Sequence, residues 1–195
     1  MKTFLWLALC SAPGLDLAYK AKTGHLGANP VSTLLHECGS WALNFLMITL
    51  AARPLTRLTG WAWPMRRRRM LGLFAAFYAT AHFTVYLVLD RELALGEISK
   101  DLTKRPYIVM GFLAWLLMVP LAVTSTDGMV RRLGRRWGKL HRLVYASALA
   151  GIIHFLWLVK SDRTEPLTYL AGFAALMGWR LWAARRPLVY GSVTN

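Results

Sequence analysis

Cysteine is scarce in this chain: only Cys10 and Cys38 occur among 195 residues. They form no CxxC pair and no CxxCH motif, which excludes covalent thioether attachment of a haem; a disulfide between the two stays open. Acidic residues are also few, 9 against 24 basic ones, leaving a net charge of +15. That balance would suit nucleic acid, but the basic residues sit in short segments between apolar runs, as membrane topology requires, so a nucleic-acid partner is excluded. No low-complexity tract and no repeat is evident. No polar stretch is long enough to fold as a soluble domain.

What is present is hydrophobic length. Apolar residues make up 56% of the chain, with a mean hydropathy of +0.38, against about 45–50% in soluble domains. The runs predict an all-α polytopic membrane bundle, one domain over 1–195, with six transmembrane helices near 4–19, 31–52, 70–89, 107–123, 140–159 and 166–184. The first run is short and interrupted by Pro13, Gly14 and Asp16. We read it as a short span rather than a signal peptide, because only Lys2 provides a basic flank and no small-x-small cleavage site follows.

Charge sets the expected orientation. The segments 53–69, 125–142 and 180–195, together with Lys2, hold 16 of the basic residues, and the opposite segments hold 8. The richer side is expected to be cytoplasmic, with both termini on that side.

Ionisable residues within spans are costly and point to function. His82 lies 12 residues past Met70, and His154 lies 13 residues past His141. Both spans run in the same direction, so the two imidazoles are expected at equal depth, about 18–20 Å from the cytoplasmic edge. Imidazole is a favoured axial ligand of haem iron, and matched depth on two helices suits a six-coordinate haem b with His82 and His154 as ligands. Ala75 and Ala79 precede His82 by the same offsets as Ser147 and Gly151 precede His154. Small residues on those faces leave room for a flat macrocycle, or simply allow close helix packing.

His141 is a third candidate. On an ideal continuous helix it stands about 140° around the axis from His154. It could ligate a second haem with an unusual partner, touch a propionate, quinone or flavin, or serve as an interfacial hydrogen bonder. His36 beside Glu37 reads as interfacial, and His25 as a loop residue. Arg66 to Arg69 read as a topology anchor.

The stretches RRMLGLFAAFYATAHFTVYLVLD, KRPYIVMGFLAWLLMVPLAVTS and LGRRWGKLHRLVYASALAGIIHFLW, with ARPL after the second span, resemble the MsrQ family, formerly called YedZ, within the ferric-reductase-like transmembrane superfamily. The resemblance covers roughly residues 39 to 184. It implies that His82, His141 and His154 are the haem-associated histidines. It implies electron delivery to MsrP, a periplasmic molybdopterin reductase that repairs oxidised methionines. The quinone pool or a cytoplasmic flavin reductase would be the donor, and an FMN is a further cofactor it admits. Larger relatives carry a flavin and NADPH domain, so electrons are expected to reach this chain from elsewhere. The third span lacks the second histidine of diheme relatives, which leaves haem stoichiometry open.

Two other functions compete. One is a membrane ferric reductase. The other is a transporter with proton-relay histidines, against which the lack of repeated halves and broken helices argues. For a conduit, the segment Asp90 to Arg105, with four acidic and four basic residues, is expected to be a polar loop through which electrons leave toward an outside partner.

Overall fold

Proline and glycine punctuate the chain where the helices change. Asn29 caps the second helix by accepting a hydrogen bond from the Ser32 N–H at 3.1 Å, and Pro30 follows at the first helical position, where its missing N–H costs nothing. The same helix ends at Gly60, whose φ of 71° allows its N–H to reach the Thr56 carbonyl at 3.0 Å. A computed structural model describes residues 2–185.

Among the described residues the chain is all helical. The elements are α1 (Lys2–Thr23), α2 (Pro30–Thr59), α3 (Trp63–Val85), α4 (Leu95–Lys104), α5 (Pro106–Val123), α6 (Asp127–Leu133), α7 (Arg135–Leu140), α8 (Leu143–Leu158) and α9 (Thr164–Arg185). One wider π-helical turn, Tyr86–Asp90, extends α3. Three of these stretches are both long and apolar enough to cross a membrane: Trp63–Asp90, Pro106–Val123 and Arg135–Leu158. The helices α1, α2 and α9 have 22, 30 and 22 residues, but their polar ends dilute the apolar run.

Two segments read from the sequence as loops are helical. Residues 90–105 contain α4, and 125–139 contain α6 and part of α7. The expected span 140–159 falls in the stretch Arg135–Leu158, with one departure from regular helix near its start. His141 and Arg142 form a turn between α7 and α8, where the Val144 and Tyr145 N–H groups bond three residues back, to the His141 and Arg142 carbonyls. An azimuth computed for an unbroken helix therefore does not apply to His141.

The core is built from two helix pairs. α2 packs mainly on α3, and α5 mainly on α8. Leu46, Leu50, Ala75, Tyr78, Ala148 and Ile152 are fully buried at their junction. α9 lies against α2 and α8. Tyr78 fastens α1: its hydroxyl accepts from the Gly14 N–H at 2.9 Å and donates to the Cys10 carbonyl at 3.0 Å. Those two groups are four residues apart, the normal helical spacing. The phenol is thus spliced into one backbone bond of α1, one turn from Pro13. Cys10 and Cys38 are both buried and unbridged, so the open question of a disulfide closes as free thiols.

The two pairs match around one histidine each, though no repeat is evident along the rest of the sequence. A shift of 72 residues superposes Gly39 on Gly111, Ala42 on Ala114, Leu71 on Leu143, Ala76 on Ala148, His82 on His154 and Phe83 on Phe155. The shift relates the pair α2 and α3 to the pair α5 and α8, whose matched features gather around His82 and His154.

Candidate functional site

The match between the two pairs places one histidine from each at the same level. His82 projects from α3 and His154 from α8, and their ring centroids stand 6.0 Å apart with planes at 82°. Each ring is fixed by the helix paired with its own. His82 Nδ1 meets the Leu35 carbonyl of α2 at 2.9 Å, and His154 Nδ1 meets the Tyr107 carbonyl of α5 at 2.6 Å. Both bonds span 47 residues, so the second half reproduces the first.

A carbonyl can only accept, so each Nδ1 carries the proton and each Nε2 keeps its lone pair. No hydrogen bond or ion pair engages either Nε2 among the described residues. This is the arrangement of a metal-ligating histidine, whose second nitrogen is held by a carbonyl that sets its tautomer and raises its basicity.

Glycine makes room for both rings. A Cβ on Gly111 would stand 2.7 Å from His154 Nδ1, and one on Gly39 would stand 3.2 Å from His82 Nδ1. Four residues separate each glycine from the accepting carbonyl, one turn away on the same helix face.

The histidines border a cavity of about 540 Å³, the size range of cofactor pockets. Its deep walls are apolar, with Leu43, Leu46, Phe83, Phe112, Trp115 and Met118. Three of the four small residues singled out in the sequence line it: Ala79, Ser147 and Gly151. The fourth, Ala75, is fully buried in the helix junction instead. Trp115 stacks on Phe83 at 4.4 Å, and its Nε1–H donates to the Thr80 hydroxyl at 3.2 Å. The cavity opens at the end where α2 begins and α3 finishes, between Ser32, His36, Asp90, Arg91 and Arg105.

This rim holds residues that sequence reasoning missed or misread. His36, read as interfacial, lines the cavity and faces Glu165 of α9 at 3.7 Å. Asp101, read as part of an outward polar loop, is 5% exposed. Its carboxylate binds Arg91 Nε at 2.6 Å and Arg105 Nε at 3.2 Å, and accepts the Tyr86 hydroxyl at 3.0 Å. A signal for it existed: Ile98, Asp101 and Leu102 have the i, i+3, i+4 spacing of one helix face.

His141 lies elsewhere, at the opposite end of the bundle and outside the cavity lining. Its ring stacks on Trp137 at 3.8 Å, with Nδ1 3.1 Å from the Trp137 carbonyl and Nε2 3.4 Å from the Ser125 hydroxyl. Trp137 in turn donates its indole N–H to the Thr124 carbonyl at 2.9 Å. The counterpart of His141 under the same shift is Arg69, which is ion-paired with Asp127. His25 sits in the turn after α1, with Nδ1 2.8 Å from the Thr23 hydroxyl.

Comparison with known proteins agrees with this geometry. Residues 38–152 match the family described as ferric reductase like transmembrane component. The chain is 54% identical over 164 residues to the protein-methionine-sulfoxide reductase heme-binding subunit MsrQ of Xanthomonas euvesicatoria pv. vesicatoria, covering 83% of this chain and 75% of that one. It is 46% identical over 194 residues to the protein of the same name from Ralstonia nicotianae, covering 98% and 89%. No solved structure matches. The chain belongs to the MsrQ family, within the ferric reductase like transmembrane components.

Proposed function

We propose that this chain is a transmembrane b-type cytochrome, the haem-bearing electron conduit of a methionine-sulfoxide reductase system. One observation carries the proposal: two imidazoles 6.0 Å apart, both held at Nδ1 by a backbone carbonyl, with both Nε2 atoms left to a shared cavity. An imidazole bound through Nε2 has its centroid about 3 Å from the metal, so two such ligands on one iron stand about 6 Å apart. The relatives named as heme-binding subunits support the same cofactor.

When bound, haem supplies a one-electron iron couple. His82 and His154 would hold the iron as axial ligands, and the Leu35 and Tyr107 carbonyls keep both rings in the ligating tautomer. The matched glycines leave the space in which each ring reaches its carbonyl. Phe83, Phe112, Trp115 and Met118 exclude water and favour one-electron chemistry over side reactions with solvent.

The finer reading follows the charge pattern. All six long helices, α1, α2, α3 with its π turn, α5, α8 with the preceding turn, and α9, cross a bacterial inner membrane, with both termini cytoplasmic. The cavity mouth then faces the periplasm, the side on which a molybdopterin reductase such as MsrP would take electrons. Electrons would arrive at the basic face, from the quinone pool or a cytoplasmic flavin reductase, with FMN as an optional carrier. His141, stacked on Trp137, is the histidine placed to act on that side.

The transporter alternative had been disfavoured for want of a repeat. The paired histidines support the conduit reading over the transporter. A proton relay has no need for two Nδ1 atoms fixed on backbone carbonyls. Nothing in the cavity provides a set of three or more His, Cys, Asp or Glu ligands for a bound ion among the described residues. The visible spectrum of the detergent-purified protein tests the proposal: a reduced low-spin b-type spectrum is expected, and protein lacking haem would refute it.

A further inference from the structure

The wall of the cavity is apolar except at its mouth, and the basic groups of the mouth lie on one side of it. Arg91 follows the π turn of α3, and Arg105 immediately precedes α5. Asp101 of the short helix α4 lies between them, with Arg91 Nε closest to Oδ2 and Arg105 Nε closest to Oδ1. Arg91 also approaches Asp90 through Nε, at 3.3 Å. Both ion pairs run through Nε, Arg91 Nε is buried without a hydrogen bond of its own, and the Arg91 guanidinium also lies over the Tyr86 ring. One terminal nitrogen of Arg105 has only a long contact, 3.4 Å, to the Tyr107 hydroxyl.

The backbone is committed to this placement. Glu92 and Leu93, directly after Arg91, have φ of 48° and 58°. Two successive non-glycine residues in the left-handed region cost energy that the surrounding structure must repay. The carboxylate of Asp101 is buried against the bundle, a cost offset by pairing with two guanidinium groups and a phenol. On the facing side of the mouth, His36 stands against the acidic Glu165. Asp90 and Asp101 balance the two arginines on the α4 side, so what that side offers an anionic group is directed guanidinium hydrogen bonding rather than a net field.

We infer that Asp101 is a positioning residue that holds Arg91 and Arg105 over the cavity mouth to bind the two peripheral carboxylates of the porphyrin. This rests on the haem reading above. The carboxylates are the polar edge of an otherwise apolar macrocycle, and the mouth is the polar edge of an otherwise apolar cavity. Charge-assisted bonds from guanidinium to carboxylate then fix which way the macrocycle lies between His82 and His154. α4 is accordingly part of the cofactor site rather than an outward docking loop.

The test compares haem b with its dimethyl ester, in which both carboxylates are blocked, added to the full chain in detergent after haem-depleted expression. Titration by the low-spin visible spectrum should show at least about tenfold tighter binding of haem than of the ester, as expected for charged hydrogen bonds. Arg91→Gln and Arg105→Gln should each reduce that preference while the low-spin spectrum persists. Asp101→Asn should reduce it further, and Asp101→Glu should restore part of it. A merely structural role for Asp101 would lower stability and leave the ratio unchanged. Equal affinity of the unmodified chain for haem and ester overturns the inference and leaves the haem reading intact. A low-spin spectrum with neither compound overturns the haem reading, and this inference with it.

Discussion

The two ends of the matched pairs behave differently. At the end with the cavity, the halves match in every part of the histidine apparatus: His82 with His154, Gly39 with Gly111, and the Leu35 carbonyl with that of Tyr107. At the basic end the halves diverge. His141 stacks on Trp137, while its counterpart Arg69 pairs with Asp127. On the proposed function, a ligand shared by His82 and His154 would have to be met from two helices, and the cavity end keeps matched partners as that would require. The basic end has no such constraint, and its two positions have separate local partners.

Several experiments would break or sharpen that contrast. Among substitutions that keep both histidines, the largest effect is expected from Gly111→Ala. The new methyl would sit 2.7 Å from His154 Nδ1, against a ring held by the Tyr107 carbonyl, and overpacking of this kind costs about 1–3 kcal/mol. Haem content and the low-spin spectrum should both fall. Gly39→Ala brings its methyl only to 3.2 Å from His82, so the ring can shift by a few tenths of an ångström. A milder loss in the same spectrum is expected, and the order of the two variants measures how symmetric the halves are in energy.

His141→Ala should leave the outer haem spectrum in place and slow its reduction by a donor added at the cytoplasmic face. Reduction kinetics in oriented membranes would check this, and loss of the main spectrum would make the inner layer part of the ligand set. Tyr78→Phe removes the hydroxyl spliced between Gly14 and Cys10. It should cost about 1–3 kcal/mol, the range for unsatisfied buried groups, and loosen α1 without changing the haem spectrum. Limited proteolysis of the N-terminal helix together with the spectrum would show this.

The smallest effect concerns Asp127. Its hydrogen bond and charge pairing with Arg69 hold its carboxyl below the usual carboxylate range. A lowered value means the pair stabilises the fold above that range and loses this contribution as the pH falls through it. Because the pair is exposed to solvent, Asp127→Asn should barely change thermal stability at neutral pH. A large loss there would show that the inner layer is as tightly constrained as the outer.

The sequence revealed the outer pair because depth can be counted. Twelve and thirteen residues from the basic edge place His82 and His154 level whatever the helices do sideways. Azimuth is more fragile, and the turn at His141 and Arg142 invalidated the angle assigned to His141. The Asp101 clamp was hidden because a balanced set of charges reads as solvated loop. Only the i, i+3, i+4 face of α4, on which Asp101 stands with the cavity-lining Ile98 and Leu102, points to the burial of Asp101. The match between the pairs escaped notice because few identities survive the 72-residue shift, and those that do are small residues, a leucine, and the His-Phe pair. Gly39 and Gly111 looked like ordinary packing glycines until the histidine beside each was known.

The most direct test of the central claim is the ferric spectrum, visible and electron paramagnetic resonance, of His82→Ala and His154→Ala beside the unmodified chain. The account predicts that either substitution removes the low-spin signal of the outer haem, because alanine leaves the iron with one axial ligand. An unchanged low-spin spectrum and haem content in either variant, with the protein still in the membrane, would contradict it.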